Sequence, residues 1–341
     1  MDNLAHALAA CPIGVAIAPK LARNIGPRFF ITAMVAVNIP DIDIILALFD
    51  ENLYHFEHRG FTHSIIGIPV MVLFSIALGF CMMGKRYRQE YGFWNKDIIF
   101  TSIGWIIGGH LFLDYLTSYG VQFFWPFSSL RPSFPLMFII DPLLWVIGLG
   151  GAIVLWRNPS RKSSFYIIGL MLALWLGELW SKNRAEAIYR QNNTDHGTLL
   201  TWPSPGAPLF WNHLDKPLKK SDAQETLWRQ AKVNLWSGAY HPLPIPDEYQ
   251  LGAICNDQEY SLETRRQFQR FAEWGEHVAC KAENRSGIMG CRCIALKFNI
   301  AANGSGGFGQ YWLPPLGPCG FLPTVYTTRT DDAIKTPQEA N

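Results

Sequence analysis

The chain has 341 residues, 49% of them hydrophobic, with 29 basic and 27 acidic side chains and a formal net charge of +2. So small an excess, carried by Lys and Arg that are scattered rather than clustered, excludes nucleic acid as a binding partner. The averages also conceal a division: nearly all long apolar runs precede Asn183, and from there the chain is polar and rich in Pro and Gly, which predicts two regions in different solvents.

A helix rising 1.5 Å per residue needs about 20 apolar residues to cross about 30 Å of hydrocarbon. In chain order, Leu4 to Ala18 is a short candidate containing His6, and Phe29 to Phe49 is long enough but contains Asp41 and Asp43. Ser64 to Gly84, Ile98 to Thr117, Phe138 to Trp156 and Ser164 to Trp180 all meet the measure. About six spans are expected. The opening Met1-Asp2-Asn3-Leu4 lacks the basic stretch of a secretory leader, and Leu8-Ala9-Ala10-Cys11 follows too short a leader to be processed as a lipoprotein. Cys11 and Cys81 read as small buried hydrophobes.

Basic residues accumulate in cytoplasmic loops. Lys20, Arg23 and Arg28 lie between the first two segments, Lys85, Arg86, Arg88 and Lys96 between the third and fourth, and Arg157, Arg161 and Lys162 between the fifth and sixth. The alternate loops carry only Arg59 and Arg131. This pattern predicts an outside N-terminus and an extracytoplasmic C-terminal region, which holds the other five cysteines. On helices so oriented, His6, Asp41, Asp43, His63, His110, Asp114, Asp141 and Glu178 all fall toward the outer side. Intramembrane charge costs several kcal/mol, so such residues face a bundle interior and pair with one another or with an ion.

The motifs carry two readings each. Gly108-Gly109-His110-Leu111-Phe112-Leu113-Asp114 sets an imidazole and a carboxylate one turn apart, able to reach one ion or merely to hydrogen-bond each other. In Asn38-Ile39-Pro40-Asp41-Ile42-Asp43 the carboxylates point to nearly opposite faces of an intact helix, so both serve one site only if Pro40 breaks it; otherwise one is a cap. His58-Arg59-Gly60-Phe61-Thr62-His63-Ser64 contains an N-cap candidate in Thr62 or Ser64, yet capping does not explain two histidines. His63 can ligate a metal, and Arg59 suits a phosphate or carboxylate. Asp141-Pro142 reads as a helix start or as a carboxylate orienting a ligand. His55, His58 and Glu178 are weaker candidates, solvated or interfacial. Imidazoles and carboxylates without nearby Cys favour Zn²⁺, with Mn²⁺ as the other choice, in a site able to hold more than one ion.

Asp2-Asn3-Leu4-Ala5-His6, Pro40-Asp41-Ile42-Asp43, His58 to Ser64, Gly109 to Asp114 with Ser118-Tyr119-Gly120, and Ile140-Asp141-Pro142 together resemble the YdjM family of bacterial inner-membrane metal-dependent hydrolases. The resemblance covers roughly residues 1 to 160. Its distant relation to zinc-dependent phospholipase C and single-strand nucleases implies phosphoester hydrolysis by analogy.

The expected fold is an all-α polytopic membrane bundle over 1–181, followed by a small mixed α/β extracytoplasmic domain over 182–341. In the latter, amphipathic helices are expected at Ala223 to Trp236 and Ser261 to His277, a strand at Cys293 to Ile300, a turn at Asn303 to Gly307 and a disordered tail from Thr330. His196, His213, His241 and His277 are expected at the surface. The expected metal ligands are His6, Asp43, His63, His110 and Asp114. Asp41 and Asp141 are catalytic carboxylates as ligands or supports, and Arg59 contacts phosphate. The partners are the bilayer and a lipid or lipid-linked phosphoester. A transporter or a non-catalytic assembly factor are the alternatives. Buried carboxylates and histidines also form ion relays, but the inner halves of these spans are apolar, which favours the enzyme.

Overall fold

The computed structural model describes residues 1–48, 57–205, 208–217, 229–243, 250–251, 278–285, 288–295 and 310–313. The first of two compact units comprises Met1–Thr194, Leu200–His213 and Lys232–His241. It is built around helix α1 (Asn3–Ile17), whose N-cap Asp2 accepts from the amides of Leu4 and Ala5 at 3.0 Å. This helix is central because it is slim. Ala5, Ala9, Ala10 and Gly14 are buried in it, and neighbours close in wherever a side chain is missing. A Cβ at Gly14 would lie 2.7 Å from the Trp105 indole nitrogen, and one at Gly148 would lie 2.7 Å from Leu8 Cβ.

A 111° turn leads into α2 (Pro19–Ile25), followed by α3 (Pro27–Ala36). The chain then bends by 45° into a 3₁₀ helix at Ile39–Leu48. A second 3₁₀ turn at Phe61–His63 precedes α4 (Gly67–Met82). Next come α5 (Lys85–Tyr91) and α6 (Lys96–Tyr115), which is π-helical from Gly104 to Leu111. Helix α7 (Pro142–Arg157) starts at Asp141, whose Oδ1 accepts from the Leu144 amide at 2.9 Å, as expected of an Asp-Pro start. Helix α8 (Arg161–Asn192) starts at the cap Ser160 and runs 32 residues.

Among the described residues, helices α6 and α8 are long and apolar enough to cross a membrane, and the two bent pairs, each taken as one span, raise the candidates to four. The remaining apolar helices, α4 and α7, have 16 residues each, about 24 Å at the helical rise. They fall short of the expected lengths for local reasons. Ser64 Oγ accepts from the Gly67 amide at 3.0 Å, so residues 64–66 form a turn; Pro142 fixes the start of α7 four residues after Phe138. The outward faces of α7 and α8 are apolar, with Val146 and Leu176 among the most exposed side chains. Cys81, expected to be buried, is likewise exposed on α4, whereas Cys11 is buried.

Beyond α8 the described residues form strands. β1 (His196–Pro203), β2 (Phe210–Pro217), β3 (Arg229–Asn234) and β4 (Ala239–Leu243) make one sheet in that order. β5 (Gln250–Leu251), β6 (Val278–Arg285), β7 (Ile288–Ala295) and β8 (Gln310–Leu313) make a second, antiparallel one. Residues 229–234, expected within a helix, are therefore a strand: Ala231 and Val233 are both wholly buried, at the period of a sheet. The expected strand from Cys293 overlaps β7, where Cys280 and Cys293 stand opposite in register. His55, Ser261 to His277, Asn303 to Gly307 and the tail lie outside the described residues. In the second unit, Arg229 pairs with Asp195 at 2.7 Å and Asp215 at 2.9 Å.

His213 is not a surface residue. It is fully buried, stacked on Tyr189 at 4.9 Å between ring centres, with Nδ1 3.1 Å from Thr201 Oγ1. Burial, aided by the charge of Lys182, pushes its pKa down to about 3, so it is a neutral packing residue at physiological pH.

Candidate metal centre

Three breaks in regular helix bring the acidic and imidazole side chains together. The first follows α3, where Asn38 Nδ2 donates to the carbonyls of Met34 at 2.8 Å and Asn3 at 3.1 Å. Pro40 has no amide to continue the α-helix, and the tighter 3₁₀ winding turns both Asp41 and Asp43 to one site with His58. The break that two acids two residues apart require is therefore present.

The second is the turn at Glu57–Gly60. Arg59 adopts φ 61°, unusual for a residue with a side chain, and its amide donates to Asp43 Oδ2 at 3.1 Å. Its guanidinium runs inward to Asp114 Oδ1 at 2.8 Å and Thr117 Oγ1 at 3.0 Å, over the Tyr119 ring. Arg131, read from the sequence only as a loop charge, covers the other edge of this turn, donating to His58 O at 2.8 Å. The turn then folds tightly onto α4: a Cβ at Gly67 would lie 1.8 Å from Phe61 O. His63 is fixed at that junction.

The third is the π-helical stretch of α6, which presents His110 and Asp114 from one face with His110 Nε2 3.6 Å from Asp114 Oδ2. His6 reaches the same place from α1. Its ring stacks on His110 at 4.0 Å, and its Nδ1 donates to the Gly109 carbonyl at 2.9 Å.

These contacts fix the tautomers. A carbonyl only accepts, so His6 carries its proton on Nδ1 and turns the Nε2 lone pair, which has no hydrogen-bond partner, to Asp114 Oδ1 at 3.2 Å. Thr62 Oγ1 donates to Asp43 Oδ2 at 3.0 Å and accepts from His63 Nδ1 at 2.8 Å, which leaves the His63 Nε2 lone pair facing the site. The result is a set of inward-facing acceptors with too few donors. His63 Nε2 lies 3.0 Å from His110 Nε2, 3.2 Å from Asp114 Oδ2 and 3.6 Å from Asp41 Oδ1; His110 Nε2 lies 3.3 Å from Asp41 Oδ1. Asp41 Oδ1 and Asp114 Oδ2 are buried without a hydrogen bond. Asp114 Oδ1, by contrast, accepts from Arg59 and from the Met1 amino group.

Of the residues expected to ligate, His63, His110 and Asp114 thus form one candidate group together with Asp41. His6 borders it through Asp114 and His110. Asp43 belongs to an adjoining group with Asp41 and His58, and its oxygens already accept from His58 Nδ1 at 2.9 Å, the Arg59 amide and Thr62. Asp141 caps α7 and adjoins Glu178, away from both groups.

A family model for the YdjM inner membrane protein matches residues 1–185, just over half the chain and every residue of this cluster. The chain belongs to the YdjM inner membrane protein family. It is similar to the uncharacterized protein YfhP of Bacillus subtilis (strain 168), 28% identical over 143 residues, or 42% of this chain and 41% of that protein. It is also similar to the inner membrane protein YbcI of Escherichia coli (strain K12), 25% identical over 190 residues, or 53% of this chain and 98% of YbcI. The match thus spans less than half of YfhP but almost all of YbcI. No solved structure matches the chain. The YdjM match ends within α8, so the two sheets lie beyond the shared region.

Proposed function

We propose that this YdjM-family protein is a membrane-embedded, metal-dependent hydrolase of a phosphoester in a lipid or lipid-linked substrate. One observation carries the metal reading. Ligands bonded to one zinc ion at about 2.0–2.1 Å and tetrahedral angles stand about 3.3 Å apart. The five close separations among Asp41, His63, His110 and Asp114 run from 3.0 to 3.6 Å around that value. Nitrogen and carboxylate donors suit Zn²⁺, and Mn²⁺ as well.

A bound divalent ion supplies an acidified water and neutralises charge developing on a phosphoryl oxygen. The chain's own residues set the geometry. Asp43 holds His63 through Thr62, the Gly109 carbonyl orients His6, and Arg59 fixes Asp114 while placing a guanidinium beside the cluster for the substrate phosphate. Asp41 has the most exposed carboxylate of the four-residue group, at 13%, which makes its side the way in. That side is greasy: Ile42, Ile44 and Ile45 flank Asp41 and Asp43, and Phe61, Ile65 and Ile66 flank His63, all of them exposed. Such a rim favours a substrate arriving from the bilayer.

Full-length protein in detergent micelles is expected to release product from a phospholipid or a prenyl phosphate, to stop with a chelator and to resume with Zn²⁺ or Mn²⁺. Metal-loaded protein that hydrolyses neither class faster than its His110→Ala variant overturns the reading.

The topology that goes with it has six crossings, with the N-terminus and the sheets outside the cytoplasm. Its support is that the three basic connections meet at one end. Arg23 donates to Pro159 O at 2.9 Å, Arg161 to Ala16 O and Ile17 O at 2.9 and 3.1 Å, and Asn24 to Tyr91 Oη at 2.9 Å. A reporter fused after Leu243 should be active only when it is of a kind that works outside the cytoplasm; activity of a cytoplasmic reporter there reverses the orientation.

A further inference from the structure

Five of the seven cysteines lie in the polar C-terminal region, and their spacing does not say which of them pair. The register of the second sheet does, for one pair. Strands β6 and β7 run antiparallel, and Cys280 stands directly opposite Cys293. Facing residues in such a ladder alternate between hydrogen-bonded pairs and non-hydrogen-bonded pairs, and the latter stand closer together. The phase follows from the connection. Only Ser286 and Gly287 separate the facing residues Arg285 and Ile288, and the pair that flanks a two-residue turn is hydrogen-bonded. Cys280 is five positions back from Arg285, so alternation makes Cys280 and Cys293 a non-hydrogen-bonded pair. Facing residues have Cβ atoms about 4.5–5.5 Å apart, nearest in pairs of this kind, and a disulfide spans about 3.5–4.5 Å between Cβ atoms. Two cysteines at this point of the ladder can close with little backbone movement.

The neighbouring positions leave no rival. Cys291 faces Ala282 on β6 and Leu313 on β8, while the other neighbours of Cys280 and Cys293 are Gln250 and Tyr311. Among the described strands, one cysteine faces another at this place alone. The sheet also has a use for a cross-link there. β6 and β7 have eight residues each, but β5 has two and β8 has four, so among the described residues 283–285 and 288–290 pair only with each other. A lone two-stranded ladder is marginally stable in water.

We propose that Cys280 and Cys293 are joined by a disulfide that staples the inner strands of this sheet. The bond forms by exchange with an oxidising protein disulfide outside the cytoplasm. One cysteine thiolate attacks that disulfide and expels its first thiolate; the other then attacks the mixed disulfide and expels the second. The two cysteines lose two electrons and two protons, and the oxidant leaves as a dithiol. Cys291 takes no part. The bond is independent of the hydrolase reading and rests on the topology proposed with it, which sets the sheets on the oxidising side.

The test is peptide mapping of the full-length protein from cells quenched with acid and alkylated with N-ethylmaleimide before any reductant is added. Trypsin separates the cysteines because Arg292 stands between two of them: Cys280 falls in 271–281, Cys291 in 286–292 and Cys293 in 293–297. The expected product is 271–281 joined to 293–297, lost on reduction, with N-ethylmaleimide on neither cysteine. Cys291→Ser should leave the joined peptide in place, and Cys293→Ser should turn Cys280 from unlabelled to labelled. Mapping of the wild type decides the matter even where a serine variant fails to fold. N-ethylmaleimide on both Cys280 and Cys293 overturns the proposal, as does joining of either to Cys255, Cys291 or Cys319. If both are free, treating the purified protein with oxidised glutathione locates the fault: joining then indicts the topology, and no joining indicts the register.

Discussion

Replacing His110 and Asp114 by alanine is expected to lower the zinc or manganese retained by detergent-purified protein by well over ten-fold, from near one ion or more per chain to background. Loss of an outer partner alone costs about 10–100-fold in affinity, and here two of four inward-facing donors go. The variants must be read separately, because Asp114 also neutralises buried Arg59. Removing one partner of a buried ion pair costs about 3–5 kcal/mol, so Asp114→Ala is expected to lose both metal and stability. His110 has no such partner, and its ring stacks on His6. His110→Ala should therefore lose metal while unfolding only modestly earlier, the loss being a ring contact and a small cavity. Metal measured by atomic emission that is negligible in wild type and variant alike would falsify the metal centre.

Asp43→Ala should have the largest effect on stability at the site. Its two oxygens accept from His58 Nδ1, the Arg59 amide and Thr62 Oγ1, and the Arg59 turn has positive φ. Each donor left buried without an acceptor costs about 1–3 kcal/mol, so several kcal/mol of destabilisation is expected. Metal affinity should fall as a consequence, since Thr62 no longer fixes His63. Asp41→Asn makes the contrast. Asp41 Oδ1 has no hydrogen bond to lose, so metal should fall with little change in the thermal unfolding of metal-free protein. If the two variants behave alike in both measurements, the division of labour between these carboxylates is wrong.

Much of this was legible in the residues themselves. A buried imidazole or carboxylate in an apolar run needs a partner, and that requirement alone singled out His6, Asp41, Asp43, His63, His110 and Asp114. The Asp141-Pro142 helix start and the break at Pro40 were equally local, since proline lacks an amide and fixes φ. What was illegible depended on distant packing. The helix expected up to Trp236 is strand β3 because Ala231 and Val233 are buried in a sheet, a choice that tertiary contacts make against local propensity. His213 looked like a surface histidine, and only its stacking on Tyr189 makes it a core residue. Glu178 looked interfacial, and only the packing that sets it beside Asp141 of a distant helix start makes it a buried residue.

The cluster of His and Asp was thus determined by the sequence, because charge in an apolar segment has few stable solutions. How the acids divide their work was decided by the tertiary structure. Asp41 and Asp43 are two residues apart and chemically identical, but the loop from His58 to His63 delivers three donors to Asp43 and none to Asp41 Oδ1. A hydrogen bond is a matter of angstroms between groups far apart in the chain, and no local pattern encodes that distance.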